Sequence, residues 1–176
     1  YPSNMLYSAM LSAISELYNL PELSVKAEKI RETVYCQSFD GKFFRDHAVR
    51  ENGILKAEPD STEVCQYYAF FFGVASPERN GELFETLLHK FGPARKHDTE
   101  YPEIAPANAF IGNYLRLEIL MRAGFKEKAL KNIVGFFGYM ANKTGTLWEN
   151  IDTSASCNHC FASYVICWLE KLKNTI

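Results

Sequence analysis

The residues best placed to do chemistry lie in Thr146-Leu147-Trp148-Glu149-Asn150-Ile151-Asp152, followed closely by Ser156-Cys157-Asn158-His159-Cys160-Phe161-Ala162-Ser163. Here a carboxylate sits beside a tryptophan, with a second acid three residues on and a histidine ten positions after Glu149. A carboxylate to move protons, an aromatic face for a ring and polar groups for hydroxyls are what cleavage of a glycosidic bond requires. In that chemistry Glu149 deprotonates a water attacking an anomeric carbon, Trp148 supplies a stacking face or a desolvating wall, and Asp152 is a second acid. The ring nitrogen of His159 would bond a substrate hydroxyl. Each has a plainer reading. A loop carboxylate is more often solvated than catalytic, and a histidine at a helix start can simply cap it. Asn158 is expected to be the N-cap of the last helix.

Other polar groups precede earlier helices. Arg45, Asp46 and His47 form one set, and His97, Asp98 and Glu100 a second; all are candidates for hydroxyl contacts or for solvated loop residues. Cys157-x-x-Cys160 around His159 has no second ligand pair at zinc spacing, and the helical context lacks the βαβ unit of a thioredoxin-like site. No metal or cofactor is expected. Five scattered cysteines do not suggest a disulfide framework.

The elements that must position these groups are helical. Apolar residues at Leu6, Met10, Ile14 and Leu17 give a stripe over 4–18, and Asn19-Leu20-Pro21 ends it. A second helix over 22–37 has a wet face of Lys26, Glu28, Lys29, Arg31 and Glu32 and a dry one of Ile30, Val34 and Tyr35. Asp40-Gly41 marks a turn, residues 42–49 read as extended, and Asn52-Gly53 predicts a hairpin back through Ile54-Leu55. Asp60 is expected as N-cap with Glu63 reaching back, opening a helix from Val64 to Val74 that is apolar nearly all round. An amphipathic helix from Ser76-Pro77-Glu78 to Phe91 follows, then a polar link over 94–105 and a helix from Pro106 to Ala123. A wet-faced helix over 126–141 and a last apolar helix from Asn158 to Leu172 complete the chain.

Gly41, Gly92 and Gly145 each close an amphipathic helix, roughly 50 residues apart, and each is followed by a polar link and a mostly buried helix. That period predicts stacked αα-hairpins in one domain over 1–176. The expected fold class is all-α, with hairpin repeats forming about half of an (α/α)6 toroid and short extended segments at its active-site rim; an open helical solenoid is the rival. The chain begins at Tyr1-Pro2 and is read as a fragment of something longer.

With 176 residues, 47% apolar and 23% charged, the chain can bury a sizeable core. The net charge is −2 with both signs dispersed, which gives no basic block for nucleic acid, and no apolar run is long enough to span a membrane. The aromatic fraction of 14% suits a thick core or an aromatic-lined cleft.

With these motifs laid out, the chain resembles the C-terminal half of the catalytic domain of bacterial α-L-rhamnosidases, glycoside hydrolase family 78. The likeness rests on Gly138-Tyr139-Met140 through Thr146-Leu147-Trp148-Glu149, on Asn158-His159, and on Thr62-Glu63-Val64-Cys65-Gln66-Tyr67-Tyr68-Ala69-Phe70. It implies an (α/α)6 barrel hydrolysing terminal α-L-rhamnosyl groups with inversion, with Glu149 as general base, His159 on the rhamnose and a rhamnose-containing glycoside as partner. The segment carrying that family's general acid has no counterpart here, which implies little activity for the chain by itself. It also implies self-association through the inner helices that a half-barrel leaves exposed. Two other functions stay open: another α/α-toroid glycosidase, glucoamylase-like or unsaturated-uronyl, and a non-catalytic helical-repeat binding module.

Overall fold

The structure, a computed structural model, describes residues 1–97 and 100–173, with the side chains of residues 96 and 97 outside the description. The chain is mostly helical and divides into two compact units, Tyr1–His89 with Tyr101–Ala105, and Lys90–Glu100 with Pro106–Ile176.

The first unit opens with α1 (Pro2–Tyr18) and α2 (Pro21–Ser38), an αα-hairpin. Asn19 takes a left-handed conformation (φ 53°) and its N–H bonds Ser15 O, while Pro21 starts the next helix. A left-handed cap followed by Pro in the first turn forces the reversal. The buried face of α1 is Met5, Ser8, Leu11 and Ser15. This corrects the expected stripe, because Leu6, Met10 and Leu17 are exposed. The two serines satisfy their hydroxyls locally, Ser8 on Met5 O (2.7 Å) and Ser15 on Leu20 O (2.7 Å), so they bury without an orphaned donor. Arg31 then ties three elements together, donating to Ser12 Oγ (2.7 Å), Glu28 (3.0 Å) and Phe72 O (3.3 Å).

The expected hairpin is present. Strands β1 (Ala48–Glu51) and β2 (Ile54–Ala57) pair antiparallel, with Asn52 and Gly53 both at positive φ (49° and 83°). Two left-handed residues in a two-residue loop match the twist of the strands. The extended stretch before it is shorter than expected: Phe44 bridges Phe39, and regular pairing starts only at Ala48.

Helix α3 (Glu63–Phe71) starts later than its sequence suggests. Strand β3 (Ser61–Thr62) pairs in parallel with β4 (Ile104–Ala105) and holds 61–62 extended. The N-cap is therefore Thr62, not Asp60: Thr62 Oγ1 accepts from Cys65 N (3.1 Å) and donates to Asp46 Oδ1 (3.1 Å). Glu63 does not reach back to cap; it is fully buried and accepts from Tyr67 Oη (2.9 Å). As expected, α3 has no exposed face. Gln66 pairs with both backbone groups of Phe44 (2.8 and 2.9 Å), so a side-chain amide fixes the first link against the helix. A turn over 77–80, not a helix, follows Ser76; α4 runs Gly81–His89 with Leu83, Leu87 and Leu88 buried.

The second unit contains a short 3-10 turn (Pro93–His97), α5 (Phe110–Arg122), α6 (Lys126–Ile133), a π segment (Val134–Gly138), α7 (Tyr139–Thr144), a 3-10 stretch (Cys160–Val165) and α8 (Ile166–Leu172). Helix α5 starts four residues later than Pro106 and is buried over Gly112–Leu117 and again at Ile119 and Leu120, as a mostly apolar helix should be. The π segment makes one extra residue per turn, and the successive rings of Phe136 and Phe137 are both buried there. Gly92 (φ +121°) leaves room for a buried arginine, since a Cβ there would lie 2.7 Å from Arg116 Nε. Arg116 in turn donates to Asn132 Oδ1 (2.7 Å).

The last helix is less regular than expected. Its first turn is 3-10, Asn158 does not cap it, and Phe161, Tyr164 and Ile166 are exposed. The Tyr114 hydroxyl anchors this turn: it lies 2.6 Å from Ala162 O and 2.8 Å from Phe161 O, and accepts from Val165 N (3.1 Å).

Candidate functional site

The motif around Glu149 is built by the link between α7 and the 3-10 stretch. Gly145 ends α7 in a left-handed conformation (φ 74°). The chain then goes out and comes back on itself: His159 N bonds Leu147 O (2.9 Å), Glu149 N bonds Ser156 O (2.9 Å), and Thr146 Oγ1 bonds Cys157 O (2.6 Å). On its other edge the same segment meets the start of α5, through Phe110 N on Glu149 O (3.0 Å) and Ile151 N on Asn108 O (3.0 Å). Both backbone groups of Glu149 are thus fixed.

Successive residues of an extended segment face opposite ways. Trp148 takes the inner side, 1% exposed, with its indole N–H on Thr144 Oγ1 (2.8 Å) and its backbone N–H on Met140 Sδ (3.3 Å). Burial of Trp148 sends Glu149 outward. This corrects the reading of Trp148 as a stacking face, because a ring so enclosed presents no surface to a ligand.

Glu149 Oε2 lies 4.0 Å from His159 Nδ1, with side-chain exposures of 44% and 27%. That separation is too long for a direct hydrogen bond and suits a bridging water or hydroxyl. The His159 ring packs on Phe110 (5.1 Å between centroids) and Phe161 (5.7 Å). These aromatics continue into an open groove of about 530 Å³ lined by Phe110, Ile111, Tyr114, Phe161, Tyr164 and Ile166. The aromatic surface next to the carboxylate is therefore Phe110 and Phe161, which sequence reading missed. The signal was there: an aromatic at the first position of a helix must lie at the same end as the link preceding it. Burial raises the pKa of the Tyr114 phenol at the back of this groove, so it stays protonated as a donor.

Asp152, Arg45 and Asp46 are held in local structural bonds. Asp152 Oδ1 accepts from Ser154 N (3.0 Å) and Ser154 Oγ, and Oδ2 from Asn108 Nδ2 (3.0 Å), so it folds its own turn. In the first unit, Arg45 donates to Pro59 O, meets Ser61 Oγ (3.4 Å) and pairs with Asp40 Oδ2 (2.5 Å). Asp46 Oδ1 holds Thr62 through both its N–H and its hydroxyl (3.1 Å each). Hydroxyl contacts by Arg45 or Asp46 would compete with these bonds. The side chains of His97 and Asp98 lie outside the described residues. The described cysteines are free thiols; burial raises the pKa of Cys65 strongly. Among the described residues no group of three His, Cys, Asp or Glu side chains could hold a metal ion, and no helix is long and apolar enough to cross a membrane.

No family model, no curated protein and no solved structure matches this chain.

Proposed function

We propose that the chain is part of a glycoside hydrolase of the inverting α-L-rhamnosidase type, that its hairpins form about half of an (α/α)6 toroid, and that Glu149 is the general base. The observation that carries this reading is the outward Glu149 carboxylate, backbone-locked at both sides, 4.0 Å from His159. A water between them gives its proton to Glu149 as its oxygen attacks the anomeric carbon. The glycosidic C–O bond breaks, and the configuration inverts. His159 bonds a ring hydroxyl, and Phe110 with Phe161 offers an apolar surface to a deoxy-sugar face. The leaving oxygen needs a proton from a second carboxyl roughly 6.5–9.5 Å from the base, and the resemblance matches no residue of these 176 to that acid.

The division of labour dictates the test. An aryl α-L-rhamnoside whose phenolate departs without protonation needs only the base; an alkyl rhamnoside needs both groups. The chain should release the activated phenol in a Glu149-dependent manner and leave the alkyl glycoside intact. Release from an activated glucoside or uronide but not from the rhamnoside would favour another α/α-toroid glycosidase. A helical-repeat binding module is supported by the exposed Phe161, Tyr164 and Ile166; these would also serve self-association. That reading predicts no turnover of any glycoside.

A further inference from the structure

The first unit turns an apolar helix face to the outside, independent of Glu149. Helix α1 buries Met5, Ser8, Leu11 and Ser15, two of them serines, and leaves its more apolar side exposed. On that opposite side Leu6, Met10, Ala13 and Leu17 form one exposed stripe, with Leu17 75% exposed. Spaced four, three and four residues apart, they stay on a single face of the helix. Glu16 is the only charged residue of α1, and it falls beside the stripe. On the other flank Lys26 Nζ lies over the Tyr7 ring, 5.7 Å from its centroid. A contiguous apolar stripe held open to water by a folded chain marks a contact surface.

We infer that this face of α1 is a self-association surface whose partner is α1 of a second copy, packed antiparallel about a two-fold axis. A two-fold contact needs a patch complementary to itself, and the spacing supplies one. A four-three-four stripe reads the same from either end, so an antiparallel copy sets Leu6 against Leu17 and Met10 against Ala13. Alternation of three and four is also the spacing at which two helices interlock along a seam. A foreign partner would need no such symmetry. Charge agrees with the antiparallel choice. A parallel copy would bring the two Glu16 side chains level, whereas the antiparallel one separates them by roughly 13 Å along the axis, beyond the screening length of ~8 Å at physiological salt. Area sets the strength. A helix of this length and a diameter of ~10–12 Å covers roughly 300 Å² on each chain, well below the ~800 Å² of a standard interface. The dimer is therefore a weak, exchanging one.

The test is sedimentation velocity of the full chain across the micromolar range, with reductant present so that the free thiols form no cross-links. A reversible, concentration-dependent shift from monomer to dimer is expected. Leu17→Lys and Leu6→Glu alter exposed side chains, and each should weaken the dimer ~10-fold or more while the dilute monomer keeps its melting temperature. If one of them fails to fold, the other decides. The double variant L6E/L17K should recover most of the lost affinity, because antiparallel pairing brings the new acid of one chain to the new base of the other. In parallel pairing like charges would meet. A chain that stays monomeric, a dimer indifferent to both single variants, or a double variant no tighter than either single one overturns the assignment. Ile166→Ser should leave the dimer unchanged; its loss there would place the contact on the apolar face of the second unit and also overturn it.

Discussion

The Glu149 carboxylate and the His159 ring face each other across 4.0 Å because Leu147 O and His159 N are hydrogen-bonded at the root of the same loop. Their ten-residue separation in sequence is closed by the backbone, so the two Cα positions are set before a ligand arrives. Preorganisation of this kind is what a general base needs to hold a water in line.

Trp148 sets the direction of Glu149, so its removal should cost stability first. Trp148→Ala should lower unfolding free energy by about 3–5 kcal/mol, as expected for a buried large aromatic, measured by urea denaturation. An unchanged midpoint would mean that the indole is not a core group.

Tyr114 should reveal itself at high pH. Its phenol pKa is raised by burial above the ordinary 10.0, so the folded state holds the proton more tightly than the unfolded chain. Stability from this group is complete below about pH 10 and falls as pH rises toward the elevated folded value. Tyr114→Phe should shrink that alkaline decline, leaving the part due to the buried Cys65 thiol. At neutral pH it should cost about 1–3 kcal/mol, because Val165 N–H loses its buried acceptor. Thermal melts across alkaline pH measure both.

Gly92 tests the packing of the second unit. An alanine there meets Arg116 Nε at 2.7 Å and must adopt φ +121°, so Gly92→Ala should destabilise by about 1–3 kcal/mol from backbone strain alone. The same change at Gly145, whose Cβ would meet nothing within 4 Å but whose φ is +74°, should show the conformational cost without the clash. Equal melting temperatures for the two variants would remove Arg116 from the explanation.

Much of the fold was legible where the determinants are local. Asn19 with Pro21 reverses the chain, Asn52-Gly53 makes the hairpin, and Gly145 ends α7, all from residue types within a few positions of each other. Where the determinant is distant in sequence, local residue types do not show it. Ser61 pairs with Ile104, a contact no window of sequence contains, and it moved the α3 cap from Asp60 to Thr62. On α1 two faces are apolar enough to be core, and the small Ser8 and Ser15 sit on the buried one, so hydrophobicity pointed to the wrong stripe. In the candidate site, types and spacing picked out Glu149 and His159, which the fold brings within 4.0 Å. The facing of Trp148 was not, because alternation says only that neighbours oppose and not which one goes in. Phe110 joins the site through a backbone bond to Glu149, which pairing between separate segments creates.

The most direct test of Glu149 as a base is the pH–rate profile of the full chain on an activated aryl α-L-rhamnoside, alongside Glu149→Gln. Phenol release should require an ionised carboxylate and fall by ~10²–10⁴-fold in Glu149→Gln, with melting temperature and the Tyr114 alkaline decline intact. Release at the wild-type rate by a folded Glu149→Gln chain would contradict it.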